Sequence, residues 1–169
     1  MGMDDIKIQI SGYLDLDFSL YGKILSVEKR APEAEGKDFS FWGSVGEIMC
    51  DKTSIGVVRS YPQRELLCPS LEKHDNSTET LIPVEGDIIL VIALSNTDNP
   101  EMVDKDTIRA VRVKQGDAIT LLPSVWHYAP MVLDREVHTF VLFEEDTLKN
   151  DLTQEKYTEK TRIHLEVPE

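Results

Sequence analysis

Four side chains carry the metal-binding and acid–base chemistry this sequence offers: Glu72, His74, Glu79 and His127. Glu72 and His74 are two apart, so on a strand both point to one face, while Lys73 between them points to the other. The polar run Asp75–Ser77 predicts a reversal of the chain, which lets Glu79 return to the same face. His127 arrives from a separate hairpin. Nitrogen and oxygen donors converging in this way suit one divalent ion, Mn, Fe, Ni or Zn, with positions left open for water or substrate. A plainer reading stands beside this one. A histidine next to Trp126 can be a core residue with satisfied hydrogen bonds, and Glu79 a solvated strand residue.

Strands must position these groups. From Asp38 onward, short runs rich in β-branched and aromatic residues alternate with turn residues, at 53–61, 78–84, 87–95, 107–113, 117–122 and 138–144. That spacing predicts an all-β sandwich or barrel, not βαβ units. The early segment 15–26, DLDFSLYGKILS, is predicted as a helix, capped by Asp15 or Asp17, with Phe18, Leu20, Tyr21, Ile24 and Leu25 at helical spacing. Residues 28–37 are a polar loop. There is no internal repeat or linker, so residues 1–169 read as one domain with its core at roughly 38–145. The charged tail, 149–169, ends in a run (161–167) that can be a last strand or an arm. Trp42 can wall a pocket, although aromatic strand residues usually belong to the core.

Composition narrows the function. The chain has 31 acidic and 18 basic residues, a net charge of −13, which opposes nucleic-acid binding and attachment to anionic membranes. An anionic substrate would therefore need inward-pointing Arg or Lys. No apolar run reaches the length of a membrane span, and the first ten residues lack a signal-peptide core. Cys50 and Cys68, each among apolar neighbours, are expected to be buried thiols of a reducing compartment, which points to the cytoplasm.

Two segments, 70-SLEKHDNSTETLIPVEGD-87 and 115-QGDAITLLPSVWHY-128, resemble the two motifs of cupins. His74, Glu79 and Gly86 follow the first, with Glu72 where its leading His normally stands. Gly116, Pro123 and His127 follow the second. The implied fold is a double-stranded β-helix, or jelly roll. A closer resemblance emerges over residues 18–143. Phe18-Ser-Leu-Tyr21-Gly22-Lys-Ile24, Arg59-Ser-Tyr-Pro62, Leu71-Glu72-Lys73-His74, Leu81-Ile-Pro83-Val, Arg109-Ala110 and Val125-Trp126-His127 resemble, in order, segments of ureidoglycolate lyases. The resemblance implies a homodimer that splits ureidoglycolate into glyoxylate and urea, a step of purine-nitrogen salvage. The reaction is an elimination: a base takes the hydroxyl proton, the C–N bond breaks as the carbonyl forms, and an acid protonates the departing nitrogen.

On that reading Glu72, His74 and His127 are the catalytic set, and either histidine suits proton transfer near neutral pH. Glu72, His74, Glu79 and His127 are the set for a divalent metal, which could instead lower the hydroxyl pKa. Arg59 and Arg109 are candidates for the substrate carboxylate, since a guanidinium fork matches it, although a surface ion pair is an Arg's commoner fate. Trp126 and Tyr128 complete the expected substrate contacts. The chain also departs from the family. Leu122 stands where a His is usual, Tyr128 replaces the second of a His pair, Thr139 an Asp, and Glu79 a Gln. These replacements keep two other readings open: a metal-dependent cupin isomerase or dioxygenase acting on another organic acid or sugar, and a non-catalytic ligand-binding cupin.

Overall fold

The computed structural model describes residues 6–158 and 161–168. The chain enters through β1 (Ile6–Gly12), β2 (Gly22–Leu25) and a small hairpin, β3 (Ala34–Glu35) and β4 (Ser40–Phe41). Strands β5 (Thr53–Ser60), β6 (Leu67–Cys68), β7 (Ser70–Lys73), β8 (Glu79–Pro83) and β9 (Ile88–Ala93) follow. Then come β10 (Arg109–Val113), β11 (Ala118–Leu121), β12 (Trp126–His127) and β13 (Val137–Glu144). A single helical turn, α1 (Thr147–Asn150), leads to β14 (Thr153–Lys156) and β15 (Ile163–Glu166).

These strands form two facing sheets, in the orders β14-β7-β12-β9-β10-β1-β15-β6 and β2-β11-β8-β13-β5. Their pairings are antiparallel except where β1 lies parallel to β10 and β15. The result is the all-β jelly roll expected from the strand texture. Each of the six anticipated runs contains a strand, shifted by no more than two residues at either end.

One strand shows how the layers are held. All six residues of β9 are buried. Ile88, Leu90 and Ile92 face the space between the sheets, packing with Leu81, Val111, Ile119, Leu121 and Val141. Ile89, Val91 and Ala93 face the other way and pack with Leu71, Ala110, Trp126, Ile163 and Leu165. Burying each large aliphatic side chain is worth about 1.5–3 kcal/mol, so this two-sided strand anchors both layers. Its neighbour β12 obeys the same alternation. Trp126 enters the outer cluster and His127 the space between the sheets.

The helix expected over 15–26 does not form. Tyr13–Asp15 and Phe18–Leu20 are isolated 3-10 turns, the second capped by the Asp17 carboxylate, which accepts the Ser19 N–H at 3.2 Å. Residues Gly22–Leu25 are strand, laddered onto Leu121–Ala118 of β11. Phe18 and Tyr21 still bury against the inner core, as the helical pattern required. Strand pairing wins beyond Tyr21 because Gly22 lets two backbones touch: a Cβ there would stand 1.9 Å from the Thr120 carbonyl oxygen.

The tail also resolves: β15 is a strand of this chain's own sheet, held between β1 and β6. Cys68 is fully buried, and burial pushes its thiol up to about 12. Cys50 is not buried as expected; it is half-exposed, its Sγ 3.0 Å from Thr53 Oγ1. Among the described residues no helix is long and apolar enough to cross a membrane.

Strand β11 joins β2 to β8, the strand that carries Glu79. Replacing Gly22 by Ala should force β2 off β11 and lower unfolding stability by about 1–3 kcal/mol in urea titration, the usual cost of overpacking. An unchanged midpoint would show that this contact does not hold the strand in place.

Candidate metal centre and active site

The cavity between the sheets, about 270 Å³, is lined by Glu72, His74, Glu79, His127 and Tyr128 on its polar side. Val57, Leu81, Val141, Phe143 and Leu148 form its apolar walls. Each polar residue is delivered by a separate structural reason. Glu72 lies on β7 directly across from His127 on β12. His74 follows β7 by one residue, keeping the parity of Glu72, and the bend at 75–77 returns the chain into β8, whose first residue is Glu79. The anticipated reversal is therefore the observed one.

The hydrogen bonds fix which atoms face inward. His74 Nδ1 lies 2.6 Å from the Asp151 carbonyl oxygen, and His127 Nδ1 lies 3.0 Å from that of Val125. A carbonyl can only accept, so both Nδ1 atoms carry hydrogen and donate. In the neutral rings this leaves both Nε2 atoms as bare acceptors. They face a third acceptor: Glu79 Oε2 is 3.4 Å from His74 Nε2, and Glu79 Oε1 is 3.6 Å from His127 Nε2. Glu72, His74 and His127 each offer a ligand atom within 4.8 Å of the others. His127 Nε2 is buried and has no hydrogen-bond partner.

Acceptors arranged in this way repel one another unless positive charge sits among them. A metal ion meets that need, since ligands about 2.0–2.2 Å from one ion stand a few ångströms apart. Histidines that donate Nδ1–H to a backbone carbonyl while presenting Nε2 are oriented as metal ligands are. The donor set, two imidazoles and one or two carboxylates, fits Mn, Fe, Ni or Zn. In the metal-free chain a proton takes this role. Burial disfavours charge on His127, but the Glu79 carboxylate outweighs it and raises the ring to about 9. Burial likewise pushes the Glu79 carboxyl up, yet His127 first and His74 second hold it below its ordinary value.

The remaining expected residues are placed differently. Tyr128 borders the cavity while packing against the outer cluster, and burial, with Cys68 and Glu72 nearby, raises its phenol so that it stays protonated. Trp126 does not touch the cavity: alternation along β12 turns it outward, where its indole N–H donates to Ser95 Oγ at 3.0 Å. Arg59 donates to Glu136 at 2.5 Å and faces a neighbouring groove, which meets the cavity at Tyr128, Ala129 and Pro130. Arg109 is spent on the carbonyls of Asp106 and Ile108, at 2.9 and 2.8 Å. Neither arginine lines the cavity, and none of the residues that do is Lys or Arg. Lys73 lies away from the site, 5.5 Å over the Trp126 ring and bonded to Asp75.

Sequence reasoning missed Thr147 and Leu148, which close one wall from α1, and Val57, Val58 and Gly56 from β5. No local motif marks them; they reach the cavity through sheet order alone. Of the four departures, Glu79 and Tyr128 line the cavity and the other two do not. Leu122 is largely exposed and Thr139 is fully buried, and neither lines the cavity.

A barrel of two curled sheets, with histidines and carboxylates converging between them, defines a cupin-type protein. The ureidoglycolate lyase family model matches residues 15–164, and the chain belongs to that family. Its relatives include a ureidoglycolate lyase of Escherichia coli O1:K1 / APEC, 24% identical over 144 residues, covering 82% of this chain and 88% of that one. One from Escherichia coli O9:H4 (strain HS) is 23% identical over the same shares. Among solved structures, a dTDP sugar isomerase from Desulfovibrio desulfuricans G20 aligns with a TM-score of 0.45 at 13% identity, covering 82% of each chain. That likeness is too weak to weigh, and the fold rests on the strand order above.

The charged pair has a pH signature in the metal-free protein. Because the His127 ring is raised from 6.5, its contribution is complete below about pH 6.5 and is lost as pH climbs through about 9. The Glu79 contribution, from a carboxyl lowered from 4.5, is present above that value and lost as pH falls through its lower folded-state value. The melting temperature should therefore decline between about pH 6.5 and 9, and the decline should flatten in Glu79→Gln. An equal slope in the variant would show that another group governs it.

Proposed function

We propose that the chain is a metal-dependent lyase that splits ureidoglycolate, or a closely related small hydroxy acid, into glyoxylate and urea. Family membership supports the reaction class. The observation that carries the metal is the charge inventory of the cavity: carboxylates and imidazoles, with no Lys or Arg among the lining residues. An anionic substrate entering an acidic protein needs positive charge, and here only the His74–Glu79–His127 cluster can hold it. A divalent ion bound there would neutralise the substrate carboxylate and lower the pKa of its hydroxyl.

The protein's own residues then divide the work. His74 and His127 are ligands in this reading rather than proton carriers, since the Nε2 atoms that could move a proton would be held by the ion. Glu72 keeps one oxygen on the Gln154 amide at 3.3 Å, which leaves the other to take the hydroxyl proton. As the carbonyl forms, the C–N electron pair leaves on nitrogen, and the Tyr128 phenol donates the proton that completes urea. The Glu72 carboxyl returns its proton through solvent to the Tyr128 phenolate. Leu81, Val141 and Phe143 exclude water from the rest of the cavity, whose small volume suits a substrate of few heavy atoms.

Glyoxylate release from ureidoglycolate should exceed the spontaneous rate when Mn, Ni or Zn is supplied. It should fall about 100- to 10,000-fold in Glu72→Gln with metal still bound. Release no faster than the spontaneous reaction with every metal tried would eliminate this function.

We also propose a homodimer. The reading is supported by β5, an eight-residue edge strand that leaves Ile55 and Val57 exposed beside Phe140 of β13. Sedimentation at micromolar concentration should give twice the 19.2 kDa chain mass. A monomer at high concentration would contradict it.

A further inference from the structure

The segment that follows β13 holds two of the four cluster residues from behind. Asp151 does so with three atoms. Its carbonyl oxygen takes the His74 Nδ1 hydrogen at 2.6 Å. Its carboxylate grips two successive backbone N–H groups, those of Asp75 and Asn76, each at 2.9 Å. These residues form the bend between His74 and Glu79, so one side chain fixes the turn while its own main chain fixes the ring. Asp151 is in turn held by its N–H, which donates to the Thr147 carbonyl at 2.8 Å. Two residues on, β14 pairs with β7, setting Gln154 opposite Glu72, and the amide described above reaches the Glu72 carboxylate.

We infer that Asp151 is a positioning residue of the metal centre: it locks His74 with Nε2 facing inward, and Gln154 steadies Glu72 from the same strap. This rests on the metal-centre reading above for its purpose, although not for its first measurement. The carboxylate matters because it is what brings the Asp151 carbonyl to the ring. Without it, a short polar segment has only its own N–H bond to Thr147 and the β14 pairing to hold it against β7. Groups that orient a ligating histidine from behind are typically worth 10- to 100-fold in metal affinity. His127 provides an internal control, since its own Nδ1 partner, Val125, is two residues away in the same strand region and independent of Asp151.

The test uses the full chain with ¹⁵N-labelled histidine, wild type and Asp151→Ala, with no metal present, at about pH 10, above the titration of His127. The wild type should show both rings in the Nδ1–H form. The variant should show His74 as a mixture of tautomers, with His127 unchanged. Zinc affinity, read by chelator competition on the same samples, should drop about 10- to 100-fold. Should Asp151→Ala fail to fold, Asp151→Asn, which retains one acceptor oxygen, carries both readouts with a smaller change. A folded variant with an unaltered His74 spectrum overturns the positioning role. An altered spectrum in a protein that binds no zinc, even as wild type, would keep the role and discard the metal reading.

Discussion

Three acceptor groups that face one another must share a positive charge. His74 Nε2, His127 Nε2 and the Glu79 carboxylate meet at 3.4–3.6 Å, and backbone carbonyls hold the Nδ1 hydrogens on the far side of each ring. Much of the fold reads as a response to that requirement. Strand β9, buried on both faces, holds β12 in register so that His127 enters the cavity while Trp126 leaves it. The ladder from β2 through β11 to β8 sets the height of Glu79. A proton satisfies the cluster in the metal-free state, and a divalent ion would satisfy it by displacing that proton.

The cavity's chemistry follows from what it omits. In a chain of net charge −13, inward arginines were the expected means of holding an anion. The structure instead spends Arg59 on Glu136 and Arg109 on carbonyls. The positive charge is thereby placed at the cluster itself, beside the hydroxyl and carboxylate it would act on. Binding and activation become one interaction. This also explains why a carboxylate stands at Glu79: it raises the affinity of the cluster for a cation in a site that has no other.

The cluster was legible in the sequence because its geometry is local. Alternation fixes Glu72 and His74, and a short polar turn returns Glu79. Trp126 was equally legible by that rule, since it neighbours His127 on the same strand and must face away. The motif resemblance obscured the point. Residues 15–26 misled because Phe18, Tyr21 and Ile24 satisfy a helical period as well as the burial needs of two turns and a strand. The contact between Gly22 and Thr120, a tertiary event, settles the choice. Thr147, Asp151 and Gln154 carried no signal at all. Asp151 and Gln154 lie more than seventy residues beyond the groups they support, and the Asp151 bonds to the 74–76 bend and the pairing of β14 with β7 bring them together.

The most direct measurement is proton release on metal binding, followed by titrating the metal-free protein with zinc in weakly buffered solution at about pH 7.5, below the titration of His127. The account predicts one ion per chain, binding with release of about one proton, and loss of both signals in His127→Ala. Absence of binding, or binding that releases no proton and survives His127→Ala, would contradict it.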